Sequence, residues 1–420
     1  MMAKILCRAA FCLSLVFTSV AAAAPVTGDG GPVHWLTDDG TLLVYNLPAA
    51  VKTESGYVVG WTDSKGLLTV TEFDQNFEPL AGTKLRQYKK QDDHSAPALH
   101  VIQSGPLKGR ILAATSHHRS QMFVYLSKSG RIEDGFDQVA KLDQRNTTYP
   151  RLVEFSDGYL RLLYRGHPDK NKFDFGILSS NVIRYRSGSI EIGAREDLLM
   201  TDGPGYVYPA MPRFDPASGG YAIAWGRLPR KEGGNIPNAW YDVFISRFDR
   251  ENQPIAATRL DPAPMRALGF GAEKRVLGML SPKKDGRSRL LLQIPKSRSG
   301  PLRNSEIYVA TVDESGKTDY TLVTETVHPY YPLSAVIDPR DDAILASVAG
   351  RDGRIRIDRF MQNDSGGYAS TGAITCSDKP LLPQAVIDGF LIAEEVEYYK
   401  AVRDFRTALF AVNMDHRGDC

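Results

Sequence analysis

Short runs of alternating apolar and polar residues recur along this chain, and clusters of Gly, Asp, Pro and Asn separate them. Runs of this length, bounded by turn-forming residues, are typical of β-strands. They read YVVGW, RILAAT, QMFVYL, YLRLLY, YAIAW, SRLLLQI, EIYVATV and AILASVA. No comparable stretch beyond the N-terminal region repeats with a helical period, so the pattern predicts an all-β protein.

The strand pattern repeats in units of 50 to 68 residues, each holding three or four strands. The units begin near Leu47, Pro97, Pro150, Pro209, Leu277, Pro332 and Leu382. Seven such units predict a seven-bladed β-propeller rather than a sandwich. The longer fourth unit contains LPRKEGGNIPNAWYD at 228–242, which we interpret as an inserted loop. The strand-like segment 34–46 precedes the first unit, and we expect it to pair with the last blade and close the ring.

The N-terminus predicts export. Lys4 and Arg8 precede an apolar run at 9–17, and small residues follow up to Pro25. These features indicate a secretory signal peptide over residues 1–23, because the apolar run is too short to span a membrane. We therefore expect residues 24–420 to form a single catalytic domain that is secreted or periplasmic.

Cysteine content leaves two alternatives. Cys7 and Cys12 are removed with the predicted signal peptide, so Cys376 and Cys420 remain. These two form either one disulfide or two unpaired thiols.

The overall charge excludes some classes of partner. The chain has 51 basic and 49 acidic residues, which gives no general attraction to nucleic acid or to a membrane surface. Any affinity for an anionic polymer must therefore come from a local cleft. We expect a monomer.

Four polar motifs interrupt the strand pattern between residues 92 and 166. They are DDHSAPAL at 92–99, GRILAATSHH at 109–118, TTYP at 147–150 and LRLLYRG at 160–166. Their His, Tyr and Arg side chains lie at the ends of strand-like runs, where a propeller presents side chains to a ligand. A His/Tyr/Arg set without a nucleophilic serine or cysteine suits abstraction of a proton next to a carboxylate.

The order of these motifs resembles that in BNR-type seven-bladed propellers that include the ulvan lyases, in particular polysaccharide lyase family 25. That family carries DDHN-x-PAL, GR-x-LA-x-YS-x-H, TYP and a strand ending in LFYRG. Ser95 stands here where the family often has Asn, and Thr115 and Arg119 replace Tyr and Asn. The resemblance implies a secreted lyase that acts on a uronate-containing, sulfated polymer of the ulvan type. Its register favours His118 over His117 as the site histidine.

Elimination next to a uronate carboxylate requires three functions. The carboxylate must be neutralised, the C5 proton removed and the leaving oxygen protonated. Arginine suits the first function because its planar fork binds a carboxylate bidentately and stays charged. We assign it to Arg165, with Arg213 and Arg227 as helpers. Tyr149 is our candidate for general base and acid, because a neighbouring cation makes tyrosine a competent base. His94 and His118 assist it, and Tyr206 or Tyr208 stacks on a sugar or packs in the core.

Other interpretations of the sequence remain open. A propeller glycoside hydrolase needs a carboxylate pair that flanks the scissile bond, and a sialidase needs an arginine cluster with Tyr and Asp. No clear Asp-box of the S-x-D-x-G-x-T-W type is present. A carbohydrate-binding propeller without activity is the third alternative. Elimination requires no cofactor, and the sequence shows no His/Cys cluster with the ligand spacing of a metal site.

Overall fold

The computed structural model of the protein contains seven β-sheets, the blades of a β-propeller. Six of the sheets have four strands, and the fourth sheet along the chain has two additional short strands. The predicted all-β class and the seven blades are therefore confirmed. The structure describes residues 33–42, 45–117, 120–142, 147–154, 160–167, 176–186, 188–200, 205–215, 219–231, 234–235, 242–264, 274–296, 303–329, 333–415 and 420.

Strand β1 (Val33–Thr37) precedes the first blade, and each blade then follows in chain order. Blades 1 to 3 consist of β2 (Ala50–Lys52), β3 (Gly56–Thr62), β4 (Leu67–Asp74) and β5 (Pro79–Gln87); β6 (Ala98–Val101), β7 (Ile111–Thr115), β8 (Phe123–Ser127) and β9 (Phe136–Lys141); and β10 (Thr148–Glu154), β11 (Leu160–Gly166), β12 (Ile177–Arg186) and β13 (Ser189–Met200).

The remaining blades repeat this arrangement. Blade 4 consists of β14 (Gly205–Pro209), β15 (Arg213–Asp215), β16 (Gly220–Lys231), β17 (Gly234–Asn235), β18 (Asp242–Phe248) and β19 (Pro254–Arg259). Blades 5 to 7 consist of β20 (Arg275–Leu280), β21 (Ser288–Pro295), β22 (Arg303–Val312) and β23 (Thr318–His328); β24 (Ala335–Ile337), β25 (Ile344–Ala349), β26 (Ile355–Gln362) and β27 (Tyr368–Ser377); and β28 (Leu381–Ile387), β29 (Phe390–Ala401) and β30 (Asp404–Asn413).

The N-terminal strand closes the ring. β1 pairs antiparallel with β30, with Val33 opposite Val412, and it completes blade 7 as a fourth strand. This confirms the expected pairing with the last blade for residues 34–37 of the segment 34–46, whereas Thr41 forms a bridge with Thr62 of blade 1. The predicted loop 228–242 lies only partly within the described residues, where β16 extends to Lys231 and pairs with the short strand β17.

Burial follows the position of each strand in its blade. Every residue of β3 and of β11 is buried, because neighbouring blades cover both faces of these strands. The outer strand β5 alternates between exposed and half-buried residues. Apolar clusters join adjacent blades: Val58 and Val70 of blade 1 contact Leu99 and Ile111 of blade 2 in one of them.

The order of the strands defines two faces of the propeller. The first strands of neighbouring blades lie next to one another around the axis, and all of them run in the same sense. One face therefore carries the connections that enter the first strands, together with the turns between second and third strands. We call it the entry face. The opposite face carries the turns between first and second strands.

The segment Tyr45–Leu47 crosses the centre of the propeller. Leu47 forms a parallel bridge with β10 of blade 3, donating its N–H to the Pro150 carbonyl at 3.1 Å and accepting from Leu152 N–H at 3.0 Å. Tyr45 is 2% exposed and packs in a cluster with residues of blades 6 and 7. The chain's own residues therefore occupy part of the space that the first strands enclose.

Cys376 of β27 and the C-terminal Cys420 form a disulfide with a Cα–Cα distance of 5.9 Å. Of the two alternatives left by the sequence, the structure has the disulfide. Helical structure includes three short 3-10 turns, of which Asp93–Ser95 carries a candidate site residue. Among the described residues, no helix is long and apolar enough to cross a membrane.

Candidate active site

His94 lies in the connection that enters blade 2, on the entry face. The 3-10 turn Asp93–Ser95 begins after Asp92, whose carboxylate accepts from the His94 N–H at 3.1 Å and caps the turn. The buried side chain of Asn46 donates to the carbonyl oxygens of His94 at 2.9 Å and Ala96 at 2.6 Å. The turn is thus fixed both by its own cap and by the segment that crosses the channel.

The imidazole of His94 bridges two carboxylates and a tyrosine. Its Nδ1 bonds the Asp93 carboxylate and lies 3.1 Å from Asp92 Oδ1, and its Nε2 lies 3.1 Å from the Tyr149 hydroxyl. Burial by itself would lower the pKa of His94, but negative charge at Tyr149, Asp93 and Asp92 outweighs it and raises the pKa well above the usual value. A protonated His94 donates Nε2–H to the oxygen of Tyr149.

The two carboxylates are held in turn by blade 7. The Tyr399 hydroxyl donates to Asp93 Oδ2, and Arg403 Nε donates to Asp92 Oδ2 at 2.9 Å. Both carboxylates are 0% exposed. The two carboxylates therefore fix the orientation of the imidazole and favour its protonated form.

Tyr149 stands at the start of β10, where the pairing with β11 shifts register between Thr148 and Arg151. Its φ is 62°, in the left-handed region that a bulky residue seldom adopts. The ring is 3% exposed and packs against Tyr45 and Tyr208, with ring centroids 5.0 and 5.9 Å apart. The irregular backbone turns the hydroxyl toward His94.

Arg165 ends β11 directly opposite Thr148, so the β10–β11 hairpin brings Tyr149 and Arg165 to the same end of blade 3, as the sequence predicts. Arg165 Nε donates to Thr148 Oγ1 at 2.9 Å, and the guanidinium carbon lies 4.4 Å from the centroid of the Tyr149 ring. Burial by itself would lower the pKa of Arg165, but the phenol oxygens of Tyr149 and Tyr208 outweigh this effect and raise it. Buried Nη1 has no hydrogen-bond partner among the described residues.

Tyr208 lies between two arginines. The guanidinium carbons of Arg165 and Arg275 are 5.1 and 4.7 Å from its ring centroid, and both side chains hydrogen-bond its hydroxyl. Burial would raise the pKa of Tyr208, but the two positive charges outweigh it and lower the pKa. Tyr206, 5% exposed, lies 5.0 Å from the Arg165 guanidinium carbon and packs at the edge of the same group.

The cluster assembles Tyr149, His94, Arg165, Tyr206 and Tyr208 of the predicted residues. It does not include Arg213, which lies on β15 near the opposite face and donates to the Met279 carbonyl at 3.0 Å and Ser281 Oγ at 3.1 Å. Arg227 is paired opposite Val207, so it shares the sheet face of Val207 and not that of the two tyrosines. The prediction for His118 falls outside the described residues.

Several contributors were not predicted from the sequence. Arg275 is the first residue of β20, the first strand of blade 5, and Tyr149 lies near the start of β10, the first strand of blade 3. This equivalent position in the repeat is the sequence signal that could have identified Arg275. Arg151, 0% exposed, donates to the Tyr149 carbonyl at 2.9 Å and to the Pro209 carbonyl. Tyr399 and Arg403 come from the far end of the chain, and no local motif marks them.

Asp92, Asp93 and His94 also place three potential metal-ligand atoms within 4.8 Å of one another. In the structure these same atoms bind the imidazole, the Tyr399 hydroxyl and the Arg403 guanidinium. The expectation that no metal is required remains a prediction.

The comparisons with known proteins agree with this fold. Residues 56–225 match the family model described as BNR repeat-containing family member. An ulvan lyase of polysaccharide lyase family PL25, solved bound to -[GlcA(1-4)Rha3S]-, superposes with a TM-score of 0.64 at 10% identity, covering 91% of this chain and 96% of that one. The polysaccharide lyase Uly1 gives a TM-score of 0.56 at 12% identity, covering 93% and 98%.

No curated protein sequence matches significantly. The chain is a seven-bladed propeller that shares its fold with ulvan lyases over nearly its whole length. The resemblance inferred from the four motifs is thereby confirmed at the level of the fold.

Proposed function

We propose that this protein is a polysaccharide lyase that cleaves a uronate-containing polymer by β-elimination. One observation carries the proposal: the Tyr149 hydroxyl lies 3.1 Å from His94 Nε2, and the guanidinium of Arg165 lies 4.4 Å from the Tyr149 ring. A proton acceptor and a carboxylate-binding cation are thus adjacent on the entry face. Elimination next to a carboxylate needs both within reach of one sugar residue.

Arg165 supplies the charge that elimination requires. Its unpartnered Nη1 and its buried position suit it to bind the uronate carboxylate and to stabilise the negative charge that spreads onto that group as the C5 proton leaves. Arg275 lies on the far side of Tyr208 and adds a second positive charge to the same region.

Tyr149 acts as base and then as acid. Its phenolate, stabilised by Arg165 and by an N–H from His94, takes the C5 proton. The electron pair of the C5–H bond forms the C4=C5 double bond, and the C4–O bond breaks. The departing oxygen takes the proton from Tyr149, so no water is consumed. One product has a 4,5-unsaturated uronate at its new end, and the other has a new reducing end.

A hydrolytic function has less support in this cluster. The usual route requires two carboxyl groups on either side of the glycosidic bond. The two carboxylates described here, Asp92 and Asp93, are fully buried behind His94 and bound to Arg403 and Tyr399.

Substrate class and location belong to the same proposal. The PL25 structure with a bound uronate–rhamnose saccharide supports an anionic, ulvan-type polymer as the ligand. The predicted signal peptide supports secretion or export to a periplasm, where such polymers are met. We propose that the protein acts there as a monomer without a required cofactor.

Product analysis tests the proposal. The purified mature chain is incubated with ulvan, glycosaminoglycans, alginate and pectin, and both ultraviolet absorbance and reducing ends are followed. Absorbance from the conjugated double bond, rising together with reducing ends, is the expected result. Reducing ends without absorbance would assign a hydrolase, and binding without either product would assign a carbohydrate-binding propeller.

A further inference from the structure

A pocket of about 380 Å³ opens on the entry face beside the candidate site. It lies between the end of β5, the loop that leads to His94, the start of β8 and the turn between β29 and β30. We call it the cationic pocket. Its lining residues are Arg86, Tyr88, Lys89, Lys90, His117, Ser120, Gln121, Phe123 and Arg403.

Positive charge predominates in this pocket. Four permanent cations line it, together with His117, and none of the lining residues is acidic; of the four, Arg403 is paired with Asp92 behind the lining. Lys89 and Lys90 are exposed, and within the part of the chain that the structure describes neither has a carboxylate partner. Lys379, by contrast, lies 2.8 Å from Glu395.

Arg86 is held by aromatic rings instead of a carboxylate. Its guanidinium carbon lies 3.7 Å from the centroid of Phe123 and 5.2 Å from that of Tyr88, and Nη1 donates to the Tyr125 hydroxyl at 3.0 Å. Its Nε is buried without a hydrogen-bond partner among the described residues. Stacking fixes the guanidinium and leaves its charge uncompensated.

The pocket shares a wall with the catalytic cluster. Asp92, whose other oxygen contacts His94, lies 2.9 Å from Arg403 Nε and 3.9 Å from His117 Nε2. The loop is anchored at both ends, because Tyr88 N–H donates to the Gly66 carbonyl and Asp93 N–H donates to the Val402 carbonyl. The pocket therefore borders the loop that carries His94.

We propose that the cationic pocket binds an ionised sulfate ester on a sugar residue next to the uronate that is cleaved. The inference rests on the proposed lyase function and adds a specificity-determining site to it. The ammonium groups of Lys89 and Lys90 and the guanidinium of Arg86 offer charged donors to the several oxygens of a tetrahedral oxyanion. The half-buried ring of Tyr88 offers apolar surface to the sugar that carries the ester.

A double variant tests the pocket. Lys89→Gln/Lys90→Gln removes two exposed charges without disturbing a buried contact. Lys283→Gln/Lys284→Gln makes the same change on the β20–β21 turn of the opposite face and is the matched control. On sulfated ulvan, we expect the first variant to raise KM by about fivefold, with kcat nearly unchanged, and the control to match the wild type. On chemically desulfated ulvan, all three proteins should have the same KM.

An unchanged KM for Lys89→Gln/Lys90→Gln on the sulfated polymer would overturn the proposal. An equal loss on both polymers would also overturn it, because the pocket would then not recognise the ester. Binding separates this inference from the lyase assignment. In affinity electrophoresis through sulfated ulvan, retardation should weaken in the first variant alone, even if no polymer yields an unsaturated product. Equal retardation of both variants would reject the pocket.

Discussion

Arg151 donates Nη1 to the main-chain carbonyl of Tyr149 at 2.9 Å, and its guanidinium also binds the carbonyl of Pro209, which directly follows Tyr208. One buried cation thus connects the backbones that carry both tyrosines of the candidate site. Burial lowers the pKa of Arg151 to about 9. The backbone of Tyr149 has a φ of 62°, a conformation that costs about 1–3 kcal/mol and persists only when its surroundings impose it.

Replacing Arg151 should therefore misplace Tyr149. Arg151→Lys retains a positive charge but cannot reach both carbonyl groups, so we expect kcat to fall about tenfold or more while KM changes little. Steady-state elimination kinetics, with circular dichroism to confirm folding, measure this. A variant that folds and keeps the wild-type kcat would show that Tyr149 is positioned by other contacts.

Arg165→Lys should lose activity although the charge is conserved. A single ammonium cannot reproduce a bidentate bond to the carboxylate and a third bond to Thr148, so kcat/KM should fall about 10- to 100-fold. Arg213→Lys, on the opposite face, is the matched control and should behave like the wild type in the same assay. Comparable losses in both variants would remove the special role of Arg165.

The sequence predicts the ring well because each blade repeats the same local signals. The first strands begin at 50, 98, 148, 205, 275, 335 and 381, each within four residues of the predicted start of its unit. The alternation of apolar runs and turn residues is a local property of the sequence. It can therefore be recognised without knowing how neighbouring blades pack. The closure of the ring by β1 can be predicted because one strand-like segment precedes the first unit and belongs to none of the seven units.

The site is less predictable because it is assembled across blades. Asp93 accepts a hydrogen bond from Tyr399, and Asp92 accepts one from Arg403. The partners are 306 and 311 residues apart along the chain. Arg213 has the residue type that the chemistry requires, but it lies several residues along blade 4 from Tyr208, at the other end of the first strand. The pattern of a strand does not indicate which of its two ends lies at the face of the propeller where a ligand binds.

Tyr208 should titrate as an acidic tyrosine. Because Arg165 and Arg275 lower its pKa below the usual value, ultraviolet titration of the mature chain should show one tyrosinate forming at lower pH than the others. That component should be absent in Tyr208→Phe and should move to higher pH in Arg275→Gln. An unchanged titration curve in both variants would contradict the position of Tyr208 between two charged guanidinium groups.

The buried carboxyl group of Glu394 should make the stability of the folded protein depend on pH. It is fully buried, Oε1 accepts from Leu42 N–H and the Thr41 hydroxyl, and burial raises its pKa from 4.5 to about 8. Between these values the folded chain retains a proton that the unfolded chain has released, so the free energy of unfolding decreases as pH rises through this window.

Glu394→Gln should remove this dependence, which amounts to at most about 5 kcal/mol. The amide imitates the neutral acid and keeps an acceptor for Leu42 and Thr41. Thermal unfolding at pH of about 5 and about 9 should show the variant gaining stability over the wild type only at the higher pH. An equal difference at both values would mean that Glu394 is ionised throughout.

The most direct test of the account compares the wild type with Tyr149→Phe on the polymer that yields the ultraviolet signal. The variant lacks only the oxygen that lies 3.1 Å from His94 Nε2, so the ring can keep its contacts with Tyr45 and Tyr208. We predict a rise in double-bond absorbance for the wild type and a rate at least about 100-fold lower for the variant, with polymer binding retained. Elimination at the wild-type rate by Tyr149→Phe would contradict the assignment of Tyr149 as base and acid.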